Sequence, residues 1–323
     1  MKFGCSLEMV NVLVSGPGAF NRQSKKFWTD YIKYISAVGF QGIELPFWCF
    51  SSDAMAFETG RSGIPCNQTA IKEKYSSPEG FLEFLREAGI ETVVSVHVNA
   101  NDAMLELAAL QGDTDTYYSL LEQLCMEGLE HACSLKAEGL IVSPSPELGW
   151  LYRYFGDDFE EFEQRTVDIL QRTAKCAREK QILFACKNEF WSYFHQEKIR
   201  WLTEQAEGIS FCPDLAHLKI AGVSAADILD EYRDNLKFIK FNDTAFKDLV
   251  GNAERINAEL PVEGAQKVFC DCGEGDADLI KAAEQLKRNG FDGWVICENK
   301  NTLDVYKGLL KLGWFVNNRL KNV

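Results

Sequence analysis

Two hydrophobic rhythms alternate along this chain: short apolar runs of the strand type, and longer stretches with apolar residues at helical three-and-four spacing. Lys2–Ser6 opens as a strand. Phe27–Val38 then carries Phe27, Tyr31, Tyr34, Ile35 and Val38 on one helical face before Gly39 stops it. Gly42–Pro46 (GIELP) is the next strand, Pro78–Ala88 a helix ended by Gly89, and Thr92–Val98 a strand. Asp115–Lys136 is a long helix carrying Leu120, Leu121, Leu124 and Leu129. Strands at Gly139–Ser143, Ile182–Lys187, Ile209–Cys212, Phe238–Phe241 and Trp294–Glu298 bring the expected set to eight, with helices between most of them. The amphipathic stretch Tyr306–Phe315 is expected to close the fold, with contact to a partner as its other use.

No Gly/Ser-rich or Pro-rich linker divides the chain, so 1–323 reads as a single domain. Eight strand-helix units of about 40 residues suit a (β/α)8 TIM barrel of the α/β class. An open doubly wound sheet is the alternative, and it calls for a glycine-rich turn after the first strand. Gly16-Pro17-Gly18 is the only such turn, and it lacks the dinucleotide-binding spacing. There is no P-loop either.

Composition narrows the function. The chain is 46% apolar and 25% charged, as folded proteins are, and its 48 acidic against 34 basic side chains give a net charge of −14. Such a surface repels nucleic acid and anionic lipid. No apolar run approaches the roughly 18 residues of a membrane span, and MKFGCSLEMV is not a secretory leader, so a cytoplasmic location is expected. The eleven cysteines are scattered through apolar segments, as Cys5, Cys186, Cys212 and Cys297 show, and read as small buried hydrophobes. Cys270 and Cys272 form a lone C-x-C, too little for structural zinc.

Parallel barrels place their chemistry at the C-terminal ends of the strands. Here strand two ends in Glu44, strand three in His97, and strand five in Lys187-Asn188-Glu189. Strand six runs into Asp214 and then His217, strand seven into Lys240-Phe241-Asn242-Asp243, and strand eight into Glu298-Asn299-Lys300. Charged groups are almost never buried unless paired, so this many at one barrel mouth indicates a polar site. Glu44, His97, Glu189, His217, Trp48 and Trp191 are the candidate substrate contacts, with Phe50, Trp150, Tyr152 and Tyr193 as further members of an aromatic wall. His131 and His195 read as surface residues.

With these residues in view, the chain resembles the xylose isomerase-like sugar phosphate isomerase/epimerase superfamily. Cys212-Pro213-Asp214-Leu215-Ala216-His217 is similar to its D-x-x-H motif, and Gly273-Glu274-Gly275-Asp276 followed by Phe291-Asp292-Gly293-Trp294 to Glu298 is similar to its G-E-G-D…G-Y-D-G-W…E ending. The resemblance implies proton abstraction next to a carbonyl in a keto sugar, cyclitol or keto-glycoside, giving isomerisation, epimerisation, dehydration or lyase chemistry. It also implies one divalent cation, Mn, Mg, Co or Zn, held by Glu, Asp, His and Glu on strands five to eight. Asp214 and Glu298 match two of these positions, whereas Lys187 and Lys240 stand at the other two.

An ammonium has no lone pair for a metal. The expectation is therefore a metal-free site needing no cofactor, in which Lys187 and Lys240 replace the cation and pair with Asp214 and Glu298. Glu298 is the expected base, Lys187 and Lys240 the expected electrophiles, and Asp214 a charge partner. Two other readings stay open: a structural salt-bridge cluster in a non-catalytic sugar-binding or partner subunit, and a shifted register in which Asp214 and Glu298, with Glu189 or Asp243, hold a cation. A homo-oligomer or a small companion subunit is a possible partner besides the small-molecule substrate.

Overall fold

The computed structural model describes residues 1–10, 24–50, 65–157, 159–195, 197–205, 207–247, 268–300, 302 and 304–323. Gly16-Pro17-Gly18 lies outside the described residues. Eight strands, β1 (Lys2–Ser6), β2 (Gly42–Phe47), β3 (Thr92–Asn99), β4 (Gly139–Ser143), β5 (Leu183–Lys187), β6 (Ser210–Cys212), β7 (Phe238–Phe241) and β8 (Trp294–Cys297), run parallel in the order β6-β5-β4-β3-β2-β1-β8-β7. Between the ends of that order a parallel bridge joins Asp214 to Lys240, and Lys240 N donates to Pro213 O at 2.9 Å, so the sheet curls into a barrel. The helical connections make it the expected (β/α)8 architecture.

A strand's period of two decides what fills the barrel. Val94, Ile141, Ala185, Cys212, Phe238, Trp294 and Ile296 form a separate apolar cluster plugging its lower half. Two glycines make room for the large rings. A Cβ at Gly139 would stand 2.4 Å from Phe238 Cζ, and one at Gly42 would stand 2.5 Å from Val94 Cγ2 and 3.0 Å from the Trp294 ring. Two residues further up, the same faces carry charge: Ala185 leads to Lys187, Cys212 to Asp214, Phe238 to Lys240 and Ile296 to Glu298.

The outer layer follows the sequence pattern closely. The observed helices Lys25–Ala37, Pro78–Glu87 and Thr114–Ser134 begin at Ser24, Ser77 and Asp113, whose side chains accept a backbone N–H of the first turn. Val305–Phe315 packs Val305, Leu309, Leu312 and Phe315 inward, so closing the barrel is its role, while Leu310 and Trp314 on its outer face are each 58% exposed. All eleven cysteines are free thiols. No helix among the described residues is long and apolar enough to cross a membrane.

His131 is not on the surface. It sits on the inner face of Thr114–Ser134, fully buried, 5.4 Å from the Phe47 ring, and burial lowers its pKa to about 4. In the unfolded chain a histidine titrates near 6.5. Between those values the unfolded state takes up a proton that the folded state refuses, so this contribution is complete above about pH 6.5 and lost as the pH falls toward 4. Relative to His131→Leu, the wild type is expected to lose about 2 kcal/mol more stability between pH 7.5 and 5, read from urea unfolding. Equal losses would show that the imidazole is reached by protons in the folded state.

Candidate active site

The charged upper layer of the barrel is a connected network. Lys240 Nζ lies 2.5 Å from Glu44 Oε1 and 3.3 Å from Glu298 Oε2; Lys187 Nζ lies 3.1 Å from Glu189 Oε1 and 3.7 Å from Asp214 Oδ2. All six side chains are fully buried. The expected pairs Lys187 with Asp214 and Lys240 with Glu298 are present, each shared with a second carboxylate. Burial alone lowers an ammonium's pKa, but Glu298 and Glu44 outweigh it, and Lys240 stays charged with its pKa pushed up.

The other side of the mouth is bonded internally. His97 Nδ1 stands 2.6 Å from Glu8 Oε1 and its Nε2 3.0 Å from Ser143 Oγ, while Ser143 Oγ donates to Glu189 Oε1 at 2.9 Å. Lys300 Nζ is 2.9 Å from Glu8 Oε2. Glu44 accepts from Ser6 Oγ at 2.8 Å and Ser95 Oγ at 2.9 Å besides Lys240. Glu44 and His97, expected to meet substrate, therefore have every polar atom engaged within the protein. Sequence reasoning does not mark Glu8 or Lys300 as site residues; the signal for Lys300 is its place three residues past β8, while Glu8, in the 3-10 turn after β1, carries no pattern of its own.

The opposite holds around β5 and β6. Asp214 caps the helix Leu215–Ile220, its Oδ1 accepting from Ala216 N and His217 N, and its backbone N–H donates to Asn188 Oδ1 at 2.8 Å. Its Oδ2 makes no hydrogen bond. His217 Nδ1 accepts the Phe190 N–H at 3.1 Å, which places the ring proton on Nε2, 3.8 Å from that oxygen. Burial and then Lys187 keep His217 neutral, its pKa well below the usual range. Burial pushes Asp214 up to about 6 against the pull of Lys187, whereas Lys240 and Lys300 overcome burial at Glu298 and hold it below the usual carboxylate range. Glu189 Oε2, Trp191 Nε1, both amide atoms of Asn242 and Glu298 Oε1 are also buried without a hydrogen-bond partner.

The aromatic wall is smaller than expected. Trp191 stands edge-on to His217 at 4.6 Å, backed by Phe190 and Phe269. Trp48 and Phe50 belong to the main core, Tyr193 hydrogen-bonds Glu163, and Tyr152 faces outward, 48% exposed. His195 is half-buried, its Nδ1 2.5 Å from Ser192 O.

This set of side chains does not fit a divalent cation. At the strand-five and strand-seven positions the ligand atoms are replaced by ammonium groups already paired with carboxylates. Of the shifted-register set, Asp243 is committed elsewhere, because its carboxylate accepts from the N–H groups of Thr244, Gly273, Gly275 and Ala277 and so holds the Gly273-Glu274-Gly275-Asp276 loop, while Glu189 and Asp214 are both paired with the Lys187 ammonium. A Cβ at Gly275 would stand 2.3 Å from Asp243 Oδ1, which explains that glycine. Among the described residues the one tight carboxylate-histidine group is Glu8, Glu44 and His97, with ligand atoms within 4.8 Å of one another, and Lys240 and Lys300 are bonded to it.

Comparison with known proteins agrees with the barrel. Residues 32–313 match the family described as Xylose isomerase-like TIM barrel. The probable 3-DHS dehydratase AsbF of Bacillus anthracis shares the fold with a TM-score of 0.67 at 13% identity, covering 99% of this chain and 100% of that one. D-allulose 3-epimerase from Methylomonas sp. does so at 0.64 and 15%, covering 99% and 98%. A sugar phosphate isomerase/epimerase from Parabacteroides distasonis ATCC 8503 gives 0.58 and 10%, covering 98% and 93%. No curated protein matches the chain.

Proposed function

Since the chain belongs to the xylose isomerase-like TIM-barrel family, we propose that it is a metal-independent isomerase, epimerase or dehydratase acting next to the carbonyl of a keto sugar or keto cyclitol. The observation that carries this reading is Asp214 Oδ2, a buried carboxylate oxygen with no hydrogen bond, flanked by the Lys187 ammonium at 3.7 Å and the His217 Nε2–H at 3.8 Å. A base tuned to near neutrality thus lies beside two donors. Proton transfer works best when the catalytic pKa is near the working pH, which favours Asp214, at about 6, over Glu298 as the base.

In this mechanism Asp214 takes the proton from the carbon next to the carbonyl, and Lys187 with His217 Nε2–H stabilises the oxyanion of the enediolate. Return of the proton to either carbon or either face gives isomerisation or epimerisation, and its delivery from Asp214 to a β-hydroxyl, which leaves as water while the C–O bond breaks and the enediolate collapses, gives dehydration. Lys240 remains an ammonium between Glu44 and Glu298 and holds the mouth together, leaving it no part as a Schiff-base nucleophile.

Hydrogen exchange tests the proposal. In D2O the protein should catalyse deuterium incorporation next to the carbonyl of its substrate, at a rate unchanged by EDTA, and Asp214→Asn should slow it by about 100-fold or more. Lys187→Met should likewise abolish it. A requirement for added metal, or full activity in Asp214→Asn, would overturn the mechanism, and binding without exchange would make the chain a sugar-binding subunit.

A further inference from the structure

Charge at the barrel mouth is unequal. Among the described residues, five buried or nearly buried carboxylates, Glu8, Glu44, Glu189, Asp214 and Glu298, share three ammonium groups, Lys187, Lys240 and Lys300. Each lysine is already bonded to at least one of these carboxylates, and the further titratable groups facing the network among the described residues are the two histidines and the thiols of Cys5, Cys212 and Cys297, which burial keeps protonated and uncharged. His217 donates a proton from Nε2 without carrying charge. Counting His97 as a cation still leaves the carboxylates in excess.

The polar atoms left open to a ligand point the same way. Glu189 Oε2, Asp214 Oδ2 and Glu298 Oε1 are acceptors that would face an anion with like charge, while the donors beside them, His217 Nε2, Trp191 Nε1 and the Asn242 amide, are uncharged. Hydroxyl groups, which donate and accept, satisfy both kinds of partner. A phosphate or carboxylate satisfies only the donors and repels the rest.

From this imbalance we infer that the site selects an uncharged or amine-bearing polyhydroxy carbonyl compound and rejects its phosphorylated or carboxylated counterparts. The inference rests on the reading of the barrel mouth as a sugar site and adds the class of sugar. Removing one carboxylate from the excess should relax the selection, and Glu8→Gln does so by taking away the negative charge beside Lys300 and His97, outside the proposed proton-transfer groups.

The experiment is calorimetric titration of the full chain with a set of ketoses, D-fructose and D-sorbose among them, each offered as the neutral sugar, the 1-amino-1-deoxy sugar and the phosphate ester. The amine form is expected to bind at least as tightly as the neutral sugar, and the phosphate about 100-fold more weakly. In Glu8→Gln the gap between neutral sugar and phosphate should narrow by about tenfold. Phosphate esters that bind as tightly as, or more tightly than, the neutral sugars would overturn the inference while leaving a sugar site in place. If no ketose binds in any form, the sugar-site reading fails and the inference with it.

Discussion

Lys240→Met is expected to cost about 3 to 5 kcal/mol of folding stability near neutral pH, the range found when one partner of a buried ion pair is removed. Against a typical domain stability of about 5 to 15 kcal/mol this is a large share. Methionine fills most of the lysine's volume, so the loss comes from charge: Glu44 and Glu298, both fully buried, would be stranded without their shared ammonium. Ser6 and Ser95 hydrogen-bond Glu44 but bring no charge. Stranded carboxylates take up protons more readily, so their folded pKa values should rise above the unfolded value near 4.3. A group raised in this way favours the folded state below its unfolded pKa and disfavours it above, so the deficit should shrink as the pH falls toward 4. Adding Glu44→Gln to Lys240→Met should recover part of the loss at pH 7.5. Urea midpoints for the two variants at pH 7.5 and 4.5 test this, and a deficit below about 1 kcal/mol, or one that does not change with pH, would mean the two carboxylates are compensated elsewhere.

What the sequence revealed and what it concealed divide along a physical line. All eight strands were legible because each is a short apolar run between turn signals, and the boundary differences are a residue or so, as at β5, which begins at Leu183 and not Ile182. The strand-end charges were legible because the period of two carries each interior face from an apolar residue to a charged one. Partner choice was legible only for Lys187 with Asp214 and Lys240 with Glu298, and not for the second carboxylate each lysine takes. Lys240 bonds Glu44 across 196 residues of chain, and His97 meets Glu8 across 89, distances over which no local spacing carries information. Burial misled at His131, whose helix alternates faces so closely that one position separates solvent from Phe47. Asp214 is proposed as base in place of the expected Glu298 for a similar reason: at sequence level both are strand-end carboxylates, and only burial, set against the positions of Lys187, Lys240 and Lys300, pushes their pKa values apart.

Paired substitution of Lys187→Glu and Lys240→His is expected to create a stoichiometric manganese site in a chain that, on the reading proposed here, binds none. The two changes place an anionic oxygen at the end of β5 and an imidazole at the end of β7, facing Asp214 and Glu298, the ligand types that the family resemblance assigns to those strands. Neither change alone suffices, because the remaining ammonium would still sit at a ligand position and repel the ion. Without metal the double variant buries the carboxylates with two compensating charges removed and one anion added, so it should be strongly destabilised. Metal restores the compensation, and at a concentration about 100 times its Kd it would add about 2.7 kcal/mol of stability. Elemental analysis should therefore find near one manganese per chain in the double variant and none in the wild type, and only the variant should show a manganese-dependent melting temperature. Stoichiometric manganese in the wild type would overturn the metal-independent mechanism. A folded double variant that stays empty would instead show that the lysines replaced more than the ligands, with Glu44 and Glu189 having drawn the strand ends into an arrangement built for ammonium groups.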